Sequence, residues 1–521
     1  MTENTDFHHR LLTGLIRLLE SRGEAVTRIE THISSVLLCG NRAYKIKKPL
    51  DLGFLDFSTL ERRRFCCEEE VRLNRRLAPD IYLGVVAVTG TPEHPQLGGE
   101  GKPIEYAVEM RRFSQAGLLS DASEALTPEL ADAIADRLAA FHAGIERAGP
   151  DQPYGDPQRV LFPMTQNFDQ IRDLTGGAAA RPLQQLEAWT RQQYQALEPT
   201  LRRRKAEGFI RECHGDLHLG NIAVDEGTLI IFDGIEFNPD LRWIDTMNEL
   251  AFLLMDLDGR GHPGLAQRVL NRYLEQSGDY AGVALIRFYQ VYRAMVRAKV
   301  AAIRLRQPGL DAAAGAALEQ EFSGYLEQAA GYTRPRPQAL LLTHGPSGSG
   351  KSTVTGALLE RLPGVIRLRS DVERKRLAGM TAAAASGSGL ESGIYTPAFS
   401  RRTYRRLLDL SAALLEAGFS PLVDATFLKQ AQRRPFLDLA EQRGVPWLIL
   451  DFQVPLAELR RRVSGRKARG GDVSEADLAV LERQIEGSEP LDDREQARVL
   501  TWTPEQPVAA ERVRECLWPG A

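Results

Sequence analysis

Residues 339–353 read ALLLTHGPSGSGKST: an apolar run, a glycine-rich turn, then a lysine followed by two hydroxyl residues. Gly345, Gly350, Lys351 and Ser352 fit the spacing GxxxxGK[ST], with Gly348 inside the loop and Thr353 just after it. The run 339–343 reads as a strand and 353–361 as a helix, which is the context this motif needs. Glycines let successive backbone N–H groups turn inward around phosphates, Lys351 brings a positive charge to the β/γ oxygens, and the Ser352 hydroxyl can ligate Mg²⁺. A chance glycine-rich turn is the competing reading, and the flanking strand and helix weigh against it.

Working outward, strand-like runs at 365–369, 420–424 and 447–451 alternate with amphipathic helices, the pattern of an α/β domain with a parallel sheet covered on both faces. Upstream, 332–338 contains TRPRP, a polar, proline-bearing seam. It predicts two domains, 1–331 and 338–521, in keeping with 521 residues being too many for one core. Within the first, about 25–110 is rich in short β-type runs, and about 111–331 is mostly helical with a strand-rich patch at 209–237. The expected fold there is α+β and bilobed. Two segments, 93–103 and 381–393, read as mobile.

With 66 basic and 69 acidic residues the net charge is −3, so no global electrostatic case exists for a nucleic-acid or membrane-surface binder. Cys39, Cys66, Cys67, Cys213 and Cys516 form no CxxC pair, and the expectation is a reduced, metal-free, cytoplasmic set. Leu11, Leu12, Leu15, Ile16, Leu18 and Leu19 fall on one helical face rather than in the unbroken apolar stretch of a signal peptide. No stretch approaches the ~18 apolar residues of a membrane span.

A phosphate site also needs an acceptor side. Asp371 in SDVERKRL ends the second strand-like run, where open α/β sheets gather ligand groups, and can deprotonate a hydroxyl. Arg374, one turn on, suits an anionic part of the substrate. Asp424 in VDATF ends the third strand and suits the Mg²⁺ shell or the substrate. Both aspartates also read as helix caps. The run 460–472, RRRVSGRKARGGD, has the arginines and glycine break of a lid; Arg466 and Arg469 are its candidates for neutralising charge during transfer. Together these pieces resemble, over roughly 338–500, the P-loop kinases that group with zeta toxin and polynucleotide 5′-hydroxyl kinases.

In the first domain the strongest signal is CHGDLHLGNI, 213–222, followed by TLIIFDG, 228–234. Phosphoryl transfer in kinase-like folds uses a carboxylate to take the acceptor's proton, then an amide and a second carboxylate to hold Mg²⁺. Asp216 reads as the base, Asn221 and Asp233 as the metal ligands, with a hairpin between them. Such a fold also needs a strand lysine paired to a helix glutamate. RAYKIKK offers Lys45, with Lys47 on the same face, and CCEEEVRLNRRL offers Glu70, with Glu69 as the alternative. YAVEMRRF reads as the strand and hinge between lobes, placing backbone groups near Glu109 and Met110 against adenine.

This set resembles the aminoglycoside phosphotransferase family of protein-kinase-like enzymes over most of 30–300. The whole chain looks like bacterial fusions of a phosphotransferase domain with a P-loop kinase domain. The resemblance implies ATP, Mg²⁺ and a small-molecule hydroxyl acceptor, and it gives Asp245 a part in supporting the catalytic loop. Two departures stand out: only SSVLLCGNRA, with no clear glycine-rich loop, precedes Lys45, and IEF follows Asp233 in place of a tryptophan-bearing continuation. Glu236, Asp240, Asp245, Glu249, Asp256 and Asp258 make the next region acidic, as a cationic acceptor would want, or else they cap and solvate helices. His214 and His218 read as braces of the loop.

The expected function is ATP-dependent phosphotransfer at two sites. The alternative is a recruiting first domain beside a P-loop ATPase or a kinase of nucleic-acid 5′-hydroxyls. Arg401, Arg402, Arg405 and Arg406 speak for nucleic acid, but they share an ordinary amphipathic helix with Leu407 and Leu408. Oligomeric state is not legible.

Overall fold

The structure, a computed structural model, describes residues 2–519 except 52, 54, 122, 178, 308, 383, 385, 387–392 and 470–475, and leaves the side chains of 2–5, 123 and 466–469 undescribed. The mobile-looking stretch 381–393 falls largely outside these residues. By its own contacts the chain forms two compact units, one of Met1–Thr127, Ala140–Gln170 and Tyr194–Asp256, the other of Pro128–Ala139, Ile171–Gln193 and Leu257–Ala521.

The first unit is built on an antiparallel sheet of β1 (Val26–Glu30), β2 (Ser34–Cys39), β3 (Arg42–Lys47), β4 (Tyr82–Gly90), β5 (Pro95–Leu97) and β6 (Glu105–Arg111), in the order β1-β2-β3-β6-β4-β5. Strand β5 lies inside 93–103, so that segment is paired to β4 rather than loose. The helix Thr2–Glu20 sets Leu11, Leu12, Leu15 and Leu19 against Leu37, Ile46, Val88 and Ala107, all buried. Each such leucine contributes roughly 1.5–3 kcal/mol. Val108, next to Ala107 and therefore on the opposite face, packs with Cys67 and Val71 of the helix Leu60–Asn74. Thr59 caps that helix by accepting from the Arg62 N–H at 3.3 Å.

Further along the first unit, β7 (Ile210–Glu212) pairs with β10 (Trp243–Asp245), and β8 (Ile222–Asp225) with β9 (Thr228–Ile231). Glu226 and Gly227 turn the second pair with φ of 51° and 77°, the positive values a two-residue hairpin demands.

The second unit contains a parallel sheet of β11 (Leu340–His344), β12 (Val365–Arg369), β13 (Ser420–Asp424), β14 (Trp447–Phe452) and β15 (Val499–Trp502), in the order β12-β13-β11-β14-β15. Central strands buried on both faces explain the unbroken apolar runs LLL of β11 and PLV of β13. Short β15, flanked by charges, escapes the sequence pattern. The chain leaves β11 toward β12 and β13 on one side and later fills β14 and β15 on the other, so a crevice opens at the strand ends beside β11. Among the described residues no helix is long and apolar enough to cross a membrane.

Candidate active sites

In the first unit, alternation along β3 sends Lys45 and Lys47 to the same face, and both meet Glu70, which is fully buried. Lys45 Nζ donates to Glu70 Oε1 at 2.8 Å and to Asp233 Oδ1 at 2.5 Å. Lys47 Nζ donates to Glu70 Oε2 at 2.7 Å and also to Glu236. The two lysines thus divide the work: Lys45 reaches Asp233, while Lys47 anchors the segment three residues further on. Glu69 is engaged elsewhere, with Arg72 and Arg242. Burial alone would raise the Glu70 pKa, but the two ammonium groups hold it at about 2. For Glu236 burial outweighs Lys47 and the pKa is raised.

Asp233 adopts φ of 63°, uncommon for a non-glycine residue, and the strain is held by several partners. Its N–H donates to the Tyr82 hydroxyl at 3.1 Å, and the Gly234 N–H to Asn74 Oδ1 at 2.8 Å. The β8–β9 hairpin delivers Asn221 beside it, with the Phe232 N–H donating to Asn221 O at 3.0 Å. Asn221 Nδ2 donates to the carbonyl of Asp216 at 2.9 Å and to its carboxylate at 3.1 Å. That leaves the Asn221 amide oxygen as its ligand atom. An amide oxygen and a half-exposed Asp233 carboxylate are the hard oxygen donors that suit Mg²⁺.

The loop carrying Asp216 is braced from below. His214 Nδ1 accepts the Asp216 N–H at 3.3 Å, and its Nε2 lies 2.8 Å from Phe232 O. His218 lies 3.4 Å from the Asp216 carboxylate. Glu249 accepts the Gly215 N–H at 2.7 Å and meets His142 at 3.0 Å; Asp256 accepts the Leu219 N–H at 2.8 Å. Burial would raise the Glu249 pKa, but its hydrogen bonds from His142 and Gly215 hold it at about 2. His142, Glu249 and Cys213 form a buried cluster beneath the loop. Gly215, at φ 89°, cannot carry a side chain, since a Cβ would lie 2.8 Å from Leu241 O.

One expectation is corrected here. Asp245 does not support the loop; it takes a two-point ion pair from Arg204 at 2.7 and 2.8 Å and the Met247 N–H. Glu109 and Met110 lie inside β6, in register with β3 on one side and with β4 on the other, where the pairing shifts between Tyr82 and Gly84. Beyond Arg111, Phe113 packs on Phe232 with ring centroids 4.9 Å apart. The acidic stretch also has internal uses. Besides the pairs above, Asp240 binds Arg159 and Asp258 accepts from the Tyr332 hydroxyl, in keeping with the reading in which these groups serve the fold.

In the second unit, Gly345, Gly348 and Gly350 have positive φ, and a Cβ on Gly345 would sit 2.9 Å from Phe452 O. Lys351 opens the helix Lys351–Leu359 and folds over the loop, donating to Gly345 O at 2.9 Å and Pro346 O at 2.7 Å. The Ser352 hydroxyl donates to Asp424 Oδ2 at 2.7 Å, so the two groups assigned to Mg²⁺ stand together. The pairing supplies a hydroxyl and a buried carboxylate, again hard oxygen donors. A cavity of about 720 Å³ spans the loop, Thr353, Asp371 and Arg374. Arg374 is buried, with Nη1 donating to Ile394 O at 2.8 Å and Ser400 Oγ at 3.1 Å; its Nε finds no acceptor among the described residues. The side chains of Arg466 and Arg469 lie outside the described residues. Arg462, from the arginine run 460–472, also lines the cavity, as do Arg369 and Tyr404, which no motif points to.

Residues 67–286 match the model of the phosphotransferase enzyme family, and residues 340–491 match that of an AAA domain. The chain is a kinase-type phosphotransferase enzyme that carries a P-loop nucleotide-binding segment. It is 33% identical over 401 residues to the uncharacterized protein Rv2004c of Mycobacterium tuberculosis and equally to Mb2027c of Mycobacterium bovis, covering 76% of this chain and 78% of each relative. The chain belongs to the family of these mycobacterial proteins. Among solved structures, a Plasmodium vivax ethanolamine kinase matches at TM-score 0.38 and 10% identity, covering 60% of this chain and 83% of that one. A gluconokinase from Sinorhizobium meliloti matches at TM-score 0.24 and 23% identity, covering 35% and 91%. Neither likeness bears on substrate.

Proposed function

We propose that this chain is an ATP-dependent enzyme with two phosphotransfer centres, each passing the γ-phosphoryl group to a hydroxyl of a small-molecule acceptor. The observation that carries the reading is the convergence of Lys45, Glu70 and Asp233 with Asp216 and Asn221, residues drawn from four separate stretches of sequence. Mg²⁺ bound with ATP supplies charge neutralisation across the phosphate oxygens. In the first centre Asn221 and Asp233 hold that ion, Lys45 turns from Asp233 to the phosphates, and Asp216 accepts the acceptor's proton. In the second, the loop N–H groups and Lys351 cradle phosphates, Ser352 and Asp424 hold the ion, and Asp371 accepts the proton. The buried, unspent Nε of Arg374 favours an acceptor bearing an anionic group beside its hydroxyl.

A second reading, in which the first centre recruits rather than transfers, is favoured by one feature. The turn between β1 and β2, Thr31-His32-Ile33, has no glycine to bring backbone N–H groups close over the phosphates. Screening small hydroxyl compounds for ATP-dependent phosphorylation, with the Asp216→Asn and Asp371→Asn variants in parallel, separates the two. Transfer that Asp216→Asn alone removes supports the first centre. Transfer indifferent to Asp216→Asn across all acceptors supports recruitment.

A further inference from the structure

Strand β12 is the edge of the parallel sheet, and its open side is occupied by the helix Pro263–Ser277 of the same unit. The helix does so with side chains that imitate a neighbouring strand. Asn271 Nδ2 donates to Val365 O at 3.1 Å and its Oδ1 accepts the Arg367 N–H at 2.7 Å. Gln267 Oε1 accepts the Gly364 N–H at 3.2 Å, and its Nε2 also donates to Val365 O. Edge strands need such cover, and this much has a purely structural reading.

Glu275, one turn beyond Asn271 and buried, does something different. Its carboxylate takes Arg369 Nη1 at 2.6 Å on one oxygen and Arg367 Nη2 at 3.1 Å on the other. Arg367 continues to the Ser352 carbonyl at 2.8 Å. Arg369 Nε stands 3.9 Å from Asp424 Oδ2, the oxygen that accepts the Ser352 hydroxyl. Both arms from Glu275 therefore end at Ser352, one on its backbone and one on the partner of its side chain.

We propose that Glu275 is a positioning residue for the P-loop centre: it holds Arg369 back from Asp424 and steadies the first turn after Lys351 through Arg367. The proposal rests on the reading of Ser352 and Asp424 as the groups that hold Mg²⁺. Without the Glu275 carboxylate, Asp424 is the next anion within reach of Arg369. A guanidinium paired to Asp424 would compete with both Ser352 and the cation. A helix from the segment matched by the phosphotransferase model thus helps set the nucleotide site of the segment matched by the AAA-domain model.

The test uses the full chain carrying Asp233→Ala, so that binding reports mainly on the P-loop centre, and follows a fluorescent ATP analogue as Mg²⁺ is titrated. Glu275→Gln should raise the half-saturating Mg²⁺ by about tenfold, the low end of what loss of a supporting partner costs a metal site. Glu275→Asp, which keeps the charge, should show a smaller shift in the same direction and serves alone should the glutamine variant fail to fold. Asn271→Ala should lower the melting temperature yet leave half-saturation within about twofold. Unchanged Mg²⁺ dependence in both Glu275 variants, or an equal shift in Asn271→Ala, would overturn the proposal. Lys351→Ala in the same background checks the underlying reading separately: if binding persists there, the assignment of the P-loop centre is what fails.

Discussion

The two proposed centres are built in opposite ways. In the second unit the phosphate cradle is a single turn whose lysine rests on its own loop's carbonyls. In the first, the lysine is drawn from β3, its glutamate from the helix Leu60–Asn74, and its aspartate from beyond β9, and the ammonium is already paired with two carboxylates. On the proposed reading Lys351 would give up neutral oxygens to meet a phosphate, whereas Lys45 would give up Asp233, itself a proposed cation ligand. The exchange in the first centre would then accompany the arrival of Mg²⁺, while the Lys47–Glu236 pair holds the segment that follows the strained Asp233.

The largest effect expected from this contrast is in rate. Asp216→Asn should cut transfer by the first centre ~10²- to 10⁴-fold while sparing nucleotide binding. Asp233→Ala should weaken Mg²⁺·ATP there as well. Phosphate transfer and nucleotide affinity measured on the two variants check the division; equal losses of both in Asp216→Asn would break it.

Next in size is stability. Lys47→Met leaves Glu70 and Glu236 buried with one cation fewer, and removing one partner of a buried pair commonly costs about 3–5 kcal/mol. Urea unfolding should show the first unit destabilised by that order. A cost near zero would mean that the buried lysine merely fills space over Phe57, to which it lies 4.8 Å from the ring centroid.

A smaller effect concerns pH. Glu70 and Glu249 sit at about 2 against an ordinary 4.5, so their stabilisation is fully present above about 4.5 and is lost as pH falls toward 2. Glu236, raised by burial, acts in the opposite sense and offsets part of the loss. Melting temperature followed from pH 6 downward should fall below about 4.5, and less steeply in Glu249→Gln. An acid profile identical in that variant would contradict the depressed value.

The same contrast explains what could be read from the chain. Residues 344–353 declare their role because everything they need is local, and Asp216, Asn221 and Asp233 are close enough in sequence for their spacing to speak. Glu236 and Glu249 read as ordinary acidic residues because their meaning lies in Lys47, His142 and Gly215, each far away in sequence. The end of β6 at Arg111, just past Glu109 and Met110, was not legible, since strand ends depend on pairing more than on composition. Gln267, Asn271 and Glu275 look like the polar face of an amphipathic helix, and only contact with β12 gives them another role.

Whether one chain carries two nucleotide sites can be read by calorimetric titration with a non-hydrolysable ATP analogue and Mg²⁺. Two nucleotides should bind per chain, falling to one in Lys351→Ala and to one in Asp233→Ala. A single site in the unaltered chain, indifferent to Lys351→Ala, would contradict it.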